Sequence, residues 1–149
     1  MSAHSVEDIK RASARLRGSL LEPVAGQRFE LIVSNPPFVI TPRAEGMPGY
    51  EYRDGGAVGD GVIRDLVRSV GDHLEPGGIA QFLGNWEMSE GHGFDQVWTE
   101  WLEGTGLDAW VVQREVQDPF EYAELWARDG GAGVNSPEYG AMYAAWLDD

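Results

Sequence analysis

Residues 29–38, FELIVSNPPF, constrain the fold more than any other stretch of this 149-residue chain. Phe29 to Ser34 make an apolar run broken only by Glu30, which suits a strand covered on both faces of a sheet. The run stops on Asn35 and two prolines. Proline fixes φ at about −65° and drives its predecessor into an extended conformation, so the backbone is stiff where the strand leaves the sheet. Carbonyls at that point have no neighbouring strand to pair with and can accept from a ligand. Asn35 adds a side-chain carbonyl, and Phe38 adds a flat apolar face. The set suits a planar group carrying an NH2. Two acceptors on the amino hydrogens draw the nitrogen out of conjugation and free its lone pair, while stacking on the ring holds the plane.

The remaining sequence alternates strand and helix signals. A helical opening leads to a short strand at Ser13–Arg17, and GSLLEPVAG (18–26) reads as a loop. Residues 41–58, rich in Gly, Pro and charge, read as a long loop in which Tyr50 and Tyr52 follow the motif. Val62, Ile63, Leu66, Val67, Val70 and Leu74 recur on one helical face, with Asp60 as N-cap. EPGG (75–78) ends that helix, and IAQFLGNW (79–86) reads as the next strand. Phe94, Val97, Trp98, Trp101 and Leu102 mark a second amphipathic helix, and LDAWVVQREV (107–116) a further strand. Pro119 after Asp118 and Pro137 after Ser136 open helices over 119–129 and 137–147, since Pro is favoured at a first helical position. The six tryptophans read as core or helix-packing residues. This alternation predicts a doubly wound α/β sheet, in which ligands bind beyond the carboxyl ends of the strands. Asn35 then lies in the crevice.

Composition narrows the function classes. A 42% hydrophobic content at this length builds one core and one domain. No apolar stretch approaches the roughly 18 residues of a membrane span, and the N-terminus lacks an apolar signal-peptide core, so a cytoplasmic chain is expected. The absence of cysteine excludes disulfides and thiolate metal sites, and His4, His73 and His92 are not spaced as ligands, so no metal is expected. Net charge is −14, divided as −2 over residues 1–86 (nine basic, eleven acidic) and −12 over 87–149 (two basic, fourteen acidic). The second half would repel phosphates, so any nucleic-acid contact must use the first.

IVSNPPF matches the (Asn/Asp/Ser)-Pro-Pro-(Tyr/Phe/Trp) motif of S-adenosylmethionine-dependent amino methyltransferases, which act on exocyclic amines of adenine or guanine or on the side-chain amide of glutamine. RLRGSLLEPVAGQRFELIVSNPPFVI (15–40) resembles, without a gap, a stretch of the release-factor glutamine methyltransferases, and LEPGGIAQFLGNW (74–86) resembles that family's fifth strand and the turn before it. The resemblance implies that Asn35 and the Pro36 carbonyl bind the acceptor amine, that Pro37 belongs to the same rigid tip, and that Phe38 packs on the amine's plane. It implies that Ser19 and Leu20 flank the adenine of S-adenosyl-L-methionine. Ser19 departs from the acidic residue usual at that position and accepts a hydrogen bond more weakly. Phe38 lacks the common tyrosine hydroxyl. The family's glycine-rich cofactor loop has no counterpart upstream of Asn35, and GGAVGDG (55–61) lies downstream and opens a helix.

The expectation is therefore an incomplete doubly wound (Rossmann-like) methyltransferase sheet with flanking helices. Residues 1–149 would form a single partial domain, with the first strands and the last strand missing. The expected function is S-adenosylmethionine-dependent methyl transfer to a protein glutamine of release-factor type or to a nucleobase amine, incomplete in this chain alone. The alternative is a noncatalytic binding or regulatory module, or an inactive fragment, derived from such an enzyme. A hydrolase of similar architecture is disfavoured, because there is no Gly-x-Ser-x-Gly elbow and no histidine placed to serve a nucleophile. Edges left unpaired by absent strands are expected to favour homo-oligomers.

Overall fold

A computed structural model of the chain describes residues 16–41, 59–129 and 136–148. The helical opening, residues 13–15 of the first expected strand, most of the 41–58 loop and both of its tyrosines lie outside them. The apolar run forms strand β1 (Phe29–Ser34). Val62, Ile63, Leu66, Val67 and Val70, spaced along one helical face, are all buried beneath helix α1 (Gly61–Val70). A 3-10 turn over Gly71–His73 hands the chain to strand β2 (Leu74–Phe82), which runs parallel to β1. Helix α2 (Phe94–Leu102) follows, then α3 (Pro119–Asp129) and α4 (Pro137–Asp148).

The two strands are tied at their start by Arg28, whose guanidinium donates to the Leu74 carbonyl at 2.7 Å. Phe29 pairs with Leu74, but Leu31 pairs with Ile79, so Glu75–Gly78 leave the ladder as an excursion. EPGG is thus the expected turn, placed inside a strand instead of after a helix. Gly77 carries it at φ 80°, a conformation that glycine adopts without the Cβ clash. Pairing then runs in step to Ser34–Phe82.

One face of this sheet is covered. Ile63, Val67, Val97 and Trp101 form a buried cluster between α1 and α2, and Phe38, Phe82, Trp86, Trp98 and Leu102 pack against it. Edge-to-face contacts run from Trp86 to Trp98 (5.2 Å) and on to Trp101 (5.1 Å). The other face is open. Leu31 is 61% exposed, Val33 69% and Ile79 64%. The expectation of a strand covered on both faces is corrected accordingly, since no described layer lies over these three side chains.

Other expectations also need correction. The second strand ends at Phe82 instead of Trp86, and the first helix ends at Val70 instead of Leu74, because Leu74 already pairs with Phe29. Leu16 and Arg17 are not in a strand, and neither is 107–116. A strand needs a neighbour to satisfy its backbone, and the described residues offer 107–116 none. Trp110 there is 93% exposed and is not a core residue. Asp60 does not cap α1 with its side chain; its backbone carbonyl accepts from Ile63 and Arg64 while its carboxylate is used elsewhere.

The expected prolyl starts are found. Asp118 Oδ1 accepts from the Glu121 N–H at 2.9 Å, and Ser136 Oγ accepts from the Tyr139 N–H at 3.1 Å, each satisfying a donor in a first helical turn. Helices α3 and α4 pack on one another, and Ala123 and Ala127, one turn apart on α3, are fully buried. No described helix is long and apolar enough to cross a membrane.

Candidate functional site at the strand tips

Because β1 and β2 are parallel, their carboxyl ends lie side by side, and the chain beyond each tip enters the same region. Asn35–Thr41 follow β1, and Leu83–Met88 follow β2. Asn35 is exposed, and its side chain makes no hydrogen bond among the described residues. Pro36 is buried behind it, and Val39 and Thr41 are buried further on. Phe38 is half-buried. It packs against the core cluster and also lines a shallow open hollow, together with Pro37, Val39, Gly59, Asp60, Val62 and Ile63. The structure therefore joins Pro37 and Phe38 to the first turn of α1, and leaves Asn35 and Pro36 outside the hollow's lining.

Contacts that sequence reasoning missed hold this region in place. The Tyr122 hydroxyl on α3 accepts from the Ile40 N–H at 3.0 Å and from Asn85 Nδ2 at 3.0 Å, so one oxygen touches both loops. Burial raises the pKa of this phenol above its ordinary 10.0, and the neighbouring Glu87 carboxylate adds to the rise. Hydrogen bonds from the Ile40 amide and from Asn85 oppose it. The hydroxyl is thus neutral at ordinary pH. Asp60 Oδ2 accepts from the Glu87 N–H at 3.1 Å, tying the start of α1 to the same β2 loop. In the sequence Tyr122 reads only as part of the helix over 119–129, and its partners lie 82 and 37 residues away, beyond any local pattern.

Ser19 and Leu20 are exposed and precede the 3-10 turn Glu22–Val24. The Ser19 N–H donates to the Glu22 carboxylate at 3.3 Å. No hydrogen bond among the described residues connects Ser19 or Leu20 with Asn35–Phe38. Leu20 has φ 43°, a left-handed conformation that side chains other than glycine rarely adopt. The hollow beside Phe38 encloses no volume of its own, whereas small-molecule sites occupy roughly 300–1,000 Å³, so by itself it does not hold a nucleoside-sized cofactor.

Comparison with known proteins places this geometry in context. A release factor glutamine methyltransferase of Geobacter sulfurreducens is 44% identical over 68 residues, covering 41% of this chain and 24% of the relative. A ribosomal protein uL3 glutamine methyltransferase of Bradyrhizobium diazoefficiens is 30% identical over 95 residues, covering 58% of this chain and 30% of the relative. Over these partial stretches the chain is similar to glutamine methyltransferases. A third glutamine methyltransferase, a release factor enzyme of Gloeobacter violaceus, is 31% identical over 71 residues, covering 43% of this chain and 25% of the relative. The homology is to N-methyltransferases, and the chain spans between 24% and 30% of the length of these glutamine methyltransferases. No family model and no solved structure gives a match. A mixed α/β arrangement with a small parallel sheet and flanking helices is consistent with part of a glutamine methyltransferase fold.

Proposed function

We propose that this chain carries the acceptor-binding part of a methyl-transfer site, belonging to an incomplete doubly wound methyltransferase domain over residues 1–149, and that its acceptor is the side-chain amide of a protein glutamine. The observation that carries this reading is the exposed Asn35 at the tip of β1, with no side-chain hydrogen bond among the described residues and the buried Pro36 next in the chain. In this reading Asn35 Oδ1 and the Pro36 carbonyl accept the two amide hydrogens of the glutamine, Pro37 keeps the tip rigid, and Phe38 packs on the amide plane. The methyl group would come from S-adenosylmethionine. The hollow beside Phe38 does not enclose that cofactor by itself, and Ser19 and Leu20 are the proposed flanks of its adenine. Protein acceptors named for the relatives favour glutamine over a nucleobase, and so does the −12 charge of residues 87–149. The open face and edges of the sheet make self-association part of the same proposal, read by sedimentation.

A second reading has its own support. Ser19, standing where the glutamine methyltransferases usually carry an acidic residue, suits a module that keeps an acceptor tip without a cofactor site.

Two measurements separate the readings. Titration calorimetry with S-adenosylmethionine, alone and with a glutamine-bearing release-factor peptide, should give binding for the enzyme. Asn35→Ala should abolish methylation while leaving the fold intact. Peptide binding without cofactor binding or turnover would favour the noncatalytic module, and turnover retained in Asn35→Ala would remove Asn35 from the mechanism.

A further inference from the structure

The motif needs a rigid support, and its prolines remove two of the usual means of providing one. Pro36 and Pro37 have no N–H to offer, so the segment past β1 cannot be secured through its first donors. The described anchor comes three residues later, where the Ile40 N–H donates to Tyr122. The same oxygen accepts from Asn85, three residues past the end of β2. Val39 and Thr41, on either side of Ile40, are buried and the bond itself is partly buried, so its loss would leave a half-buried donor facing a phenyl edge.

We propose that Tyr122 is a positioning residue for the acceptor tip, its hydroxyl fastening the chain just beyond Asn35–Phe38 to the loop that follows β2. The clamp rests on the methyl-transfer reading only for what the tip does, not for the clamp's existence. Helix α3 thereby takes part in the site without touching the acceptor. Trp126, one turn along α3, meets the Tyr122 ring edge-to-face at 6.1 Å, so the ring is held by packing that does not depend on the hydroxyl.

The test is amide hydrogen exchange by NMR on the full chain, with Tyr122→Phe and Asn85→Ala compared to the unaltered protein. Tyr122→Phe keeps the ring and should speed exchange at Ile40 by at least about fivefold, the worth of one lost hydrogen bond, with α1 and β2 amides unchanged. Asn85→Ala leaves Tyr122 in place and should also speed exchange at Ile40, by a smaller factor. Where a glutamine peptide is methylated, Tyr122→Phe should lower kcat and leave KM unchanged, because the tip is misplaced and not removed. Ile40 exchange unaltered in either variant would overturn the clamp, and so would uniform acceleration across α1 and β2, which marks a general stability role. If Tyr122→Phe does not fold, the Asn85→Ala result decides. Absence of methyl transfer by an assembly that binds S-adenosylmethionine would count against the methyl-transfer reading, while the exchange pattern would still decide the clamp.

Discussion

Gly84 shows how much depends on single atoms near the strand tips. A Cβ on Gly84 would lie 2.9 Å from Cγ2 of Ile63, which is 1% exposed and cannot move aside freely. Gly84→Ala should therefore cost about 1–3 kcal/mol by overpacking, read from urea denaturation. Leu20 presents the opposite case. Its left-handed backbone is strained, so Leu20→Gly should raise stability by up to about 1 kcal/mol in the same assay. Tyr122 predicts an alkaline signature. Its folded pKa lies above the unfolded value of 10.0, so its contribution is fully present below pH 10 and is lost as pH rises through the folded pKa. Tyr122→Phe should flatten that part of the stability profile, measured by denaturation at a series of alkaline pH values.

The helices show which signals survive without tertiary information. Asp118-Pro119 and Ser136-Pro137 marked the starts of α3 and α4 because a cap and a preset φ are local properties, and both side chains do accept the expected first-turn amides. Asp118→Ala should cost about 0.5–2 kcal/mol, and Asp118→Asn little, in thermal melts followed by circular dichroism. Asp60 carried the same local signal, yet its carboxylate went to the Glu87 amide, a partner on a distant loop that no spacing rule reveals. The segment 107–116 has the apolar pattern of a strand, but pattern does not supply a pairing edge. The motif at Asn35 was legible because two prolines fix their own backbone; Tyr122 and Asn85 were not, because their roles exist only once three segments meet.

At the scale of the whole molecule, the described residues cover the sheet on one face only. Leu31 and Ile79 are directly paired neighbours on the open face, 61% and 64% exposed. The native protein should bind an apolar fluorescent dye there, and Leu31→Lys with Ile79→Glu should reduce the fluorescence. The opposite charges face each other across the ladder, and folding stability should change by less than about 0.5 kcal/mol. The charge asymmetry noted in the sequence concerns the second half, which includes α2, α3 and α4, so this acidity surrounds the helices and not β1. The phenol on α3 closes spans of 82 and 37 residues at a single atom. During synthesis the parallel strands and α1 can associate early, whereas the chain past the prolines waits for a helix near the C-terminal end of the described sequence. Ordering of the acceptor tip is thus a late event in folding, and a ribosome stalled before residue 122 would present Asn35 on a loop not yet fastened.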